Sequence, residues 1–438
     1  MYSTFALNLM RAKEFRQLEI NKNDIDMIAV KVMNDKIRGS LMAGAAGDAL
    51  GYEVEFKRLR EIVSIYGERG ITMFKLDHHG HAQISDDTQM TLFTANGMLM
   101  GLTRGYTRGI GGRPENYVEF AYKDWYYTQV GKPTEDVSCC TWLYHLPEME
   151  HRRAPGITCL EACESLVRFE HVVNNSKGCG GVMRVAPMAL LMAGYMARKG
   201  VMRYTLEELA EAGGVIAEVT HKHPLGFLPA ALLTTFLFNL ALMPTNHAVR
   251  DIARIARESL DILDRIYLDK DYGRYKVALR ALSERAIELA ESGVAEREAI
   301  RSLGEGWIAE EAWAIALFCA IRHADNLEEA IIASVNHDGD SDSTGSITGN
   351  IMGVIYGYDY IKQRNIFCPE GHNLEQTLEL SDIILTIADD LTTSCLISEI
   401  EPIITYDQRR WELRYCEMLP AGLGRIPDED RYFSHHDS

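Results

Sequence analysis

The sequence is short of positive charge, of long apolar runs and of strand-like alternation, and each shortage excludes something. Lys and Arg number 45 against 63 Asp and Glu, a formal charge of −18 over 438 residues. A field of that sign repels a phosphate backbone, so no nucleic-acid binding is expected. The basic clusters at 57–60 and 409–410 are short and read as solvated surface. The most apolar stretch, 228–243, is interrupted by Thr234, Thr235 and Asn239. It falls short of the roughly 20 apolar residues of a bilayer span, so it reads as a buried core helix and no membrane is expected. The N-terminus places Arg11, Lys13 and Arg16 after a weakly apolar start, the reverse of a secretory leader. Nine cysteines, an odd number without zinc-finger spacing, read as reduced thiols of a cytoplasmic protein. The histidines at 78, 79, 81, 221, 223, 435 and 436 match no common zinc spacing either.

What is present is helical periodicity. Apolar residues recur at intervals of three and four over 206–219, 252–267, 276–289, 310–321 and 382–391, while 62–74 alone reads as extended or irregular. The aromatics of 117–127 read as a core-facing helix, and Glu310 and Glu311 as a helix first turn. The expectation is an all-α fold with a helical arm at 1–34, one compact domain at 35–360, and a helical C-terminal extension at 361–438 packed on it. Within that pattern Gly345, Gly349, Gly353 and Gly357 recur every four residues, and Gly44, Gly47 and Gly51 make a second smooth face. Each glycine costs a helix roughly 0.5–1 kcal/mol against alanine, so an offsetting gain is required. Close approach of another helix supplies it, and the two faces are expected on central helices packed near the same site.

Two acidic clusters precede helices: Ser85-Asp86-Asp87-Thr88, and His337-Asp338-Gly339-Asp340-Ser341-Asp342-Ser343-Thr344. Ser and Asp are good N-caps, which accounts for one or two oxygens but not for three alternate aspartates. The second cluster is no EF-hand, because Ser343 stands where the sharp-turn glycine belongs and Gly349 where the bidentate glutamate belongs. Oxygen-only donors suit a hard cation, Mg²⁺ or Mn²⁺. Were Asp86, Asp87, Asp340 and Asp342 to converge within ~6 Å, each like-charge pair would cost on the order of 3 kcal/mol at an effective dielectric near 20. Two divalent cations would balance the four carboxylates.

These motifs resemble the ADP-ribosylglycohydrolase family. The likeness runs in order over 37–358: Gly39-Ser40-Leu41-Met42-Ala43-Gly44-Ala45-Ala46-Gly47-Asp48-Ala49-Leu50-Gly51 with Glu55 behind it, then Ser85-Asp86-Asp87-Thr88. Ser176-Lys177-Gly178-Cys179-Gly180-Gly181-Val182-Met183-Arg184, Thr220-His221, Gly304-Glu305-Gly306-Trp307 and Gly339-Asp340-Ser341-Asp342-Ser343-Thr344-Gly345 follow. The resemblance implies an orthogonal multi-helix bundle with two Mg²⁺ (or Mn²⁺) in a central binuclear cleft. It implies metal ligands at Ser85, Asp86, Asp87, Asp340, Asp342 and Ser343. Substrate contacts fall on Gly178, Cys179, Gly180, Gly181, Val182, Met183 and His221, with an acidic gate at Glu55. Two departures stand out: Ser85 replaces a frequent threonine, and Cys179 a frequent asparagine.

The implied reaction removes ADP-ribose from a modified protein, arginine-linked first, through an oxocarbenium-like transition state. Asp86, Asp87 and Glu55 are the candidates to accept the attacking water's proton, unranked. Serine-linked ADP-ribose, O-acetyl-ADP-ribose and modified nucleic-acid ends remain open as substrates. Two other readings compete. His337-Asp338 suggests an all-α metal phosphohydrolase. The arm, with Phe5, Leu9, Phe15 and Leu18 beside its basic residues, suggests an immunity protein that occludes an ADP-ribosyltransferase toxin through residues 1–34.

Overall fold

A computed structural model describes residues 22–109, 112–131, 139–268, 272–394, 411 and 414–415. Among them the chain forms seventeen α-helices and no β-strand. In order they are α1 (Lys22–Tyr52), α2 (Leu59–Tyr66), α3 (Asp86–Arg108), α4 (Val118–Val130), α5 (Ile157–Val167) and α6 (Ala186–Lys199). Then come α7 (Leu206–Glu218), α8 (Pro224–Ala241), α9 (Thr245–Asp264), α10 (Gly273–Glu291), α11 (Glu296–Leu303) and α12 (Ala309–Arg322). The last are α13 (Leu327–Val335), α14 (Ser341–Tyr356), α15 (Tyr358–Arg364), α16 (Leu374–Thr377) and α17 (Ser381–Thr393). The periodic segments fold as expected, and the all-α reading holds.

The bundle is organised around α1 and α14, which pack on each other more extensively than any other pair. Their glycine faces are the reason. A Cβ on Gly47 would stand 2.1 Å from the Gly345 carbonyl oxygen, and one on Gly349 would stand 2.0 Å from that of Ala43. Backbone therefore touches backbone, and the dispersion and burial gained there offset the helix propensity that the glycines forfeit. α8 is apolar nearly all round, with Leu228, Leu232, Phe236 and Leu240 fully buried, and it packs against α6, α7, α9 and α12. Two segments, Cys179–Lys199 and Pro224–Ala241, have the length and apolarity of a bilayer span, and both are mostly buried inside the bundle.

Two expectations are revised by the packing. Residues 59–66 form α2, which takes in the start of the 62–74 stretch read as irregular; its Ile62 is buried and its backbone is capped by Glu61. The boundary placed at 34/35 falls inside continuous α1, where Ala29 and Met33 are already fully buried. Beyond 360, α17 packs on α1 and α6, and its Asp389 receives a two-pronged ion pair from Arg38 at 2.6 and 2.7 Å. Farther on, Trp411 donates to Thr103 Oγ1 at 3.0 Å and Arg414 reaches buried Asp390 at 3.2 Å, so these late residues do pack on the bundle. The arm residues 1–20 lie outside the described part of the chain.

Candidate active site

α3 starts at Ser85, whose hydroxyl accepts the Asp87 N–H at 3.1 Å. That start is held by Asp48, buried near the C-terminal end of α1. Its carboxylate accepts the Ser85 N–H at 3.0 and 3.1 Å, the Thr88 N–H at 3.1 Å, and the Thr88 hydroxyl. From the other side Glu379, just after α16, accepts the Ile84 N–H at 3.1 Å and pairs with Arg153 at 2.6 Å. The Arg153 carbonyl in turn accepts the Asp86 N–H at 3.0 Å. Sequence reasoning assigned no role to Asp48 or Glu379. Asp48 left a signal, a lone carboxylate inside a glycine- and alanine-rich helix; Glu379 left none.

The second cluster starts α14. Asp340 is the N-cap, and Ser343 N–H donates to Asp340 Oδ1 at 3.3 Å and to Asp342 Oδ1 at 3.0 Å. The glycine turn meets it directly: Cys179 Sγ donates to Asp340 Oδ2 at 2.7 Å, and the Ser343 hydroxyl lies 3.8 Å from Met183 Sδ. The Gly304–Trp307 loop joins the two, because the Glu305 carbonyl accepts Asp340 N–H at 2.8 Å and the Trp307 carbonyl accepts Cys179 N–H at 3.2 Å. Glu311 fixes that loop by accepting the Glu305 and Gly306 N–H groups at 3.0 and 3.2 Å.

Ser85, Asp86, Asp87, Asp340, Asp342, Ser343, Glu55 and Asp48 are all buried. Their carboxyl groups are pushed above the usual range, first by burial and next by the charge of Asp342: Asp86, Asp87 and Asp340 strongly, Asp48 up to about 7, and Glu55 up to about 11. Asp342 itself is raised by burial. The two clusters and the gate thus share one electrostatic site. Among the described residues, however, no three His, Cys, Asp or Glu side chains surround a common point closely enough to hold a metal ion. The binuclear cleft is not formed in that sense. Asp340 and Asp342 turn back onto the first amides of α14, Asp340 also accepts a thiol, and Asp48 faces the α3 start, so each carboxylate takes a local donor. Two atoms do not: Asp87 Oδ2 and Glu55 Oε2 are buried with no hydrogen-bond partner. Orphaned hard oxygens in a field of like charge fit a divalent cation.

The glycine turn divides into two faces. Gly178, Cys179 and Gly180 are half-buried, whereas Gly181, Val182 and Met183 are buried beneath them. The Gly178 and Cys179 amides, expected to cradle a diphosphate, are already engaged by Ser176 Oγ at 3.3 Å and the Trp307 carbonyl. His221 stands behind the turn, its Nε2 3.2 Å from where a Gly178 Cβ would be. Buried Arg184 donates to Thr220 Oγ1 at 2.5 Å, and Thr220 Oγ1 meets His221 Nδ1 at 2.8 Å. Thr220 Oγ1 also reaches the Ala217 carbonyl at 3.5 Å, so Nδ1 of the ring is engaged on its far side and Nε2 faces the turn. Burial, then the Arg184 charge, lowers His221 to about 3, so the ring is neutral.

His337 and Asp338 are structural. His337 Nε2 meets Thr344 Oγ1 at 2.9 Å, and Asp338 Oδ1 accepts Leu59 N–H at 2.8 Å at the start of α2. The phosphohydrolase alternative loses its ligands.

The architecture matches a solved structure, the ADP-ribosylglycohydrolase-related protein complex, with a TM-score of 0.53 and 19% identity over 83% of this chain and 99% of that one. This places the protein in the all-α class of that fold. The profile of the ADP-ribosylglycohydrolase family matches residues 30–396, and the chain belongs to that family. A functionally uncharacterised protein of Archaeoglobus fulgidus is 26% identical over 331 residues, covering 74% of this chain and 88% of that one. Human ADP-ribosylhydrolase ARH3 is 24% identical over 205 residues, 43% of this chain, and the match spans only 52% of ARH3. Membership assigns the general chemistry, hydrolysis of an ADP-ribosyl bond on an ADP-ribosylated substrate, within a family known to be metal-dependent.

Proposed function

We propose that this chain releases ADP-ribose from modified proteins in the cytoplasm, with arginine-linked ADP-ribose as its first substrate. The observation that supports the reading is the buried meeting of two helix-start carboxylate clusters with a glycine turn in a chain of this family. The free thiols of all seven described cysteines agree with a reducing compartment.

Ser85, Asp86, Asp87, Asp340, Asp342 and Ser343 are the residues that would hold two Mg²⁺ (or Mn²⁺), whose charge would orient the ribose hydroxyls and polarise water beside the anomeric carbon. The chain supplies the rest. Asp48, Glu379 and Arg153 hold the α3 start rigid, and Glu311 holds the loop that meets the α14 start. Glu55, Asp86 or Asp87 takes the proton of the attacking water. The half-buried face of Gly178, Cys179 and Gly180 lets the diphosphate approach backbone, and neutral His221 faces that turn with Nε2 without adding charge. Val182 and Met183 support the turn from below.

The test is ADP-ribose release from arginine- and serine-modified proteins, with Mg²⁺ or Mn²⁺ and with EDTA. Release from arginine that EDTA abolishes, and that Asp86→Ala plus Asp340→Ala removes, is expected. Intact arginine-linked ADP-ribose with either metal present refutes the reading.

A further inference from the structure

Two aromatic rings stand over the mouth of this site and no step above uses them. Phe56, next to the Glu55 gate, is 73% exposed, and Trp307, next to the Glu311-held loop, is 39% exposed. Their rings stack with centroids 6.2 Å apart and planes within 21°. We propose that Phe56 and Trp307 form the acceptor-side subsite, a slot selective for a planar cation that takes the guanidinium of a modified arginine. The proposal rests on the hydrolase reading and names what that site recognises beyond ADP-ribose.

The placement is built. Gly306 has φ +83°, and a Cβ there would lie 3.0 Å from Thr344 and 3.4 Å from Asp340, so only glycine fits the loop at that point. Trp307 follows directly and is tied by its carbonyl to Cys179 N–H, while the adjoining Ile308 bridges to Gly178. The Trp307 backbone is thereby tied to the glycine turn, and Phe56 follows directly on the Glu55 gate. An Arg58–Glu305 ion pair at 2.9 Å links the same two segments, so the basic residue beside the slot is already matched by an acidic one.

The occupant follows from charge and shape. Aromatic faces attract cations, and the buried carboxylates behind Glu55 add a negative field of the same preference. A flat group between two rings requires about 7 Å, twice the ordinary contact distance. Phe56 sits on an exposed turn, so its ring can move to admit such a group. A guanidinium is planar and cationic; the oxygen of a serine linkage is neither, and it gains nothing from the slot.

Two measurements on the full chain test this. Agmatine, a simple guanidinium probe, is expected to quench tryptophan fluorescence of the native protein and to leave Trp307→Leu unquenched. With metal present, the ratio of kcat/KM for arginine-linked over serine-linked ADP-ribose is expected to fall about tenfold in Trp307→Leu and to recover largely in Trp307→Phe. Trp307 is outside the core, and circular dichroism checks that each variant is folded. Equal quenching in native protein and Trp307→Leu, or an unchanged ratio, overturns the slot. Quenching that depends on Trp307 in a protein that cleaves neither linkage supports the cation slot and refutes the hydrolase reading instead.

Discussion

Gly349→Ala separates helix propensity from packing. By propensity alone, alanine in the middle of α14 should stabilise the protein by about 1 kcal/mol. The structure gives the opposite sign. The new methyl would stand 2.0 Å from the Ala43 carbonyl oxygen and 2.5 Å from its carbon, more than 1 Å inside ordinary contact. The obstacle is backbone, which cannot rotate away as a side chain can. Overpacking of this kind costs about 1–3 kcal/mol, and here the upper figure applies, leaving a net loss of roughly 2 kcal/mol. With about 2 cal/mol/K of unfolding entropy per residue over the 30–396 unit, the midpoint should fall by about 2–3 °C. Activity should fall further than stability. Separating α1 from α14 moves Asp340 and Asp342 away from Asp48 and the α3 start, and a misplacement near 1 Å costs on the order of 100-fold in rate. Calorimetry and the ADP-ribose release assay read the two effects. Gly293→Ala, where nothing lies within 4 Å, is the control and should be neutral. A Gly349→Ala protein as stable as the native one, or fully active, would refute the reasoning.

Glu379→Gln should lose about 1–3 kcal/mol and most activity, since a partly buried partner of Arg153 and of the Ile84 amide is neutralised; urea unfolding with the release assay checks it. Asp48→Asn should do the same through the α3 start, with thermal unfolding and metal affinity by titration calorimetry as readouts, because an amide nitrogen would face the N–H groups of Ser85 or Thr88. Lys36 is buried, donates to the Met243 carbonyl at 2.5 Å, and is lowered by burial to about 8. The unfolded chain therefore holds this proton up to about pH 10.4. The associated stability is fully present above that pH and is lost as pH falls through about 8, on the order of 3 kcal/mol in all. Lys36→Met should flatten that limb in denaturant titrations at pH 7.5 to 10.5. Mg²⁺ or Mn²⁺ should raise the unfolding midpoint of the native protein and leave Asp87→Asn nearly unmoved, read by differential scanning fluorimetry.

The parts of this protein legible in its sequence are those governed by period and by local caps. α7, α9, α10, α12 and α17 show three-four spacing over three or more turns, and the two glycine faces announce a close helix pair. The carboxylate clusters are legible because several aspartates near one helix start exceed what a cap requires. α2 was missed although Leu59, Ile62, Val63 and Tyr66 have helical spacing, because eight residues are too short for periodicity to outweigh chance. Glu379, Glu311 and Arg184 act through partners distant in sequence or through backbone amides, so nothing in their neighbours marks them. Cys179 was visible as a departure; its hydrogen bond to Asp340 was not.

The tie from Glu379 to the α3 start has a consequence for biosynthesis. Both aspartate clusters precede α16 and α17 in the chain, yet the Ile84 amide and the Arg153 guanidinium lack their Glu379 partner until residue 379 arrives. A nascent chain stopped at 360 would carry both aspartate clusters and the glycine turn, with Asp48 holding the α3 start from one side and Glu379 still absent from the other. The α3 start is thus fixed from both sides only after residue 379 has been made.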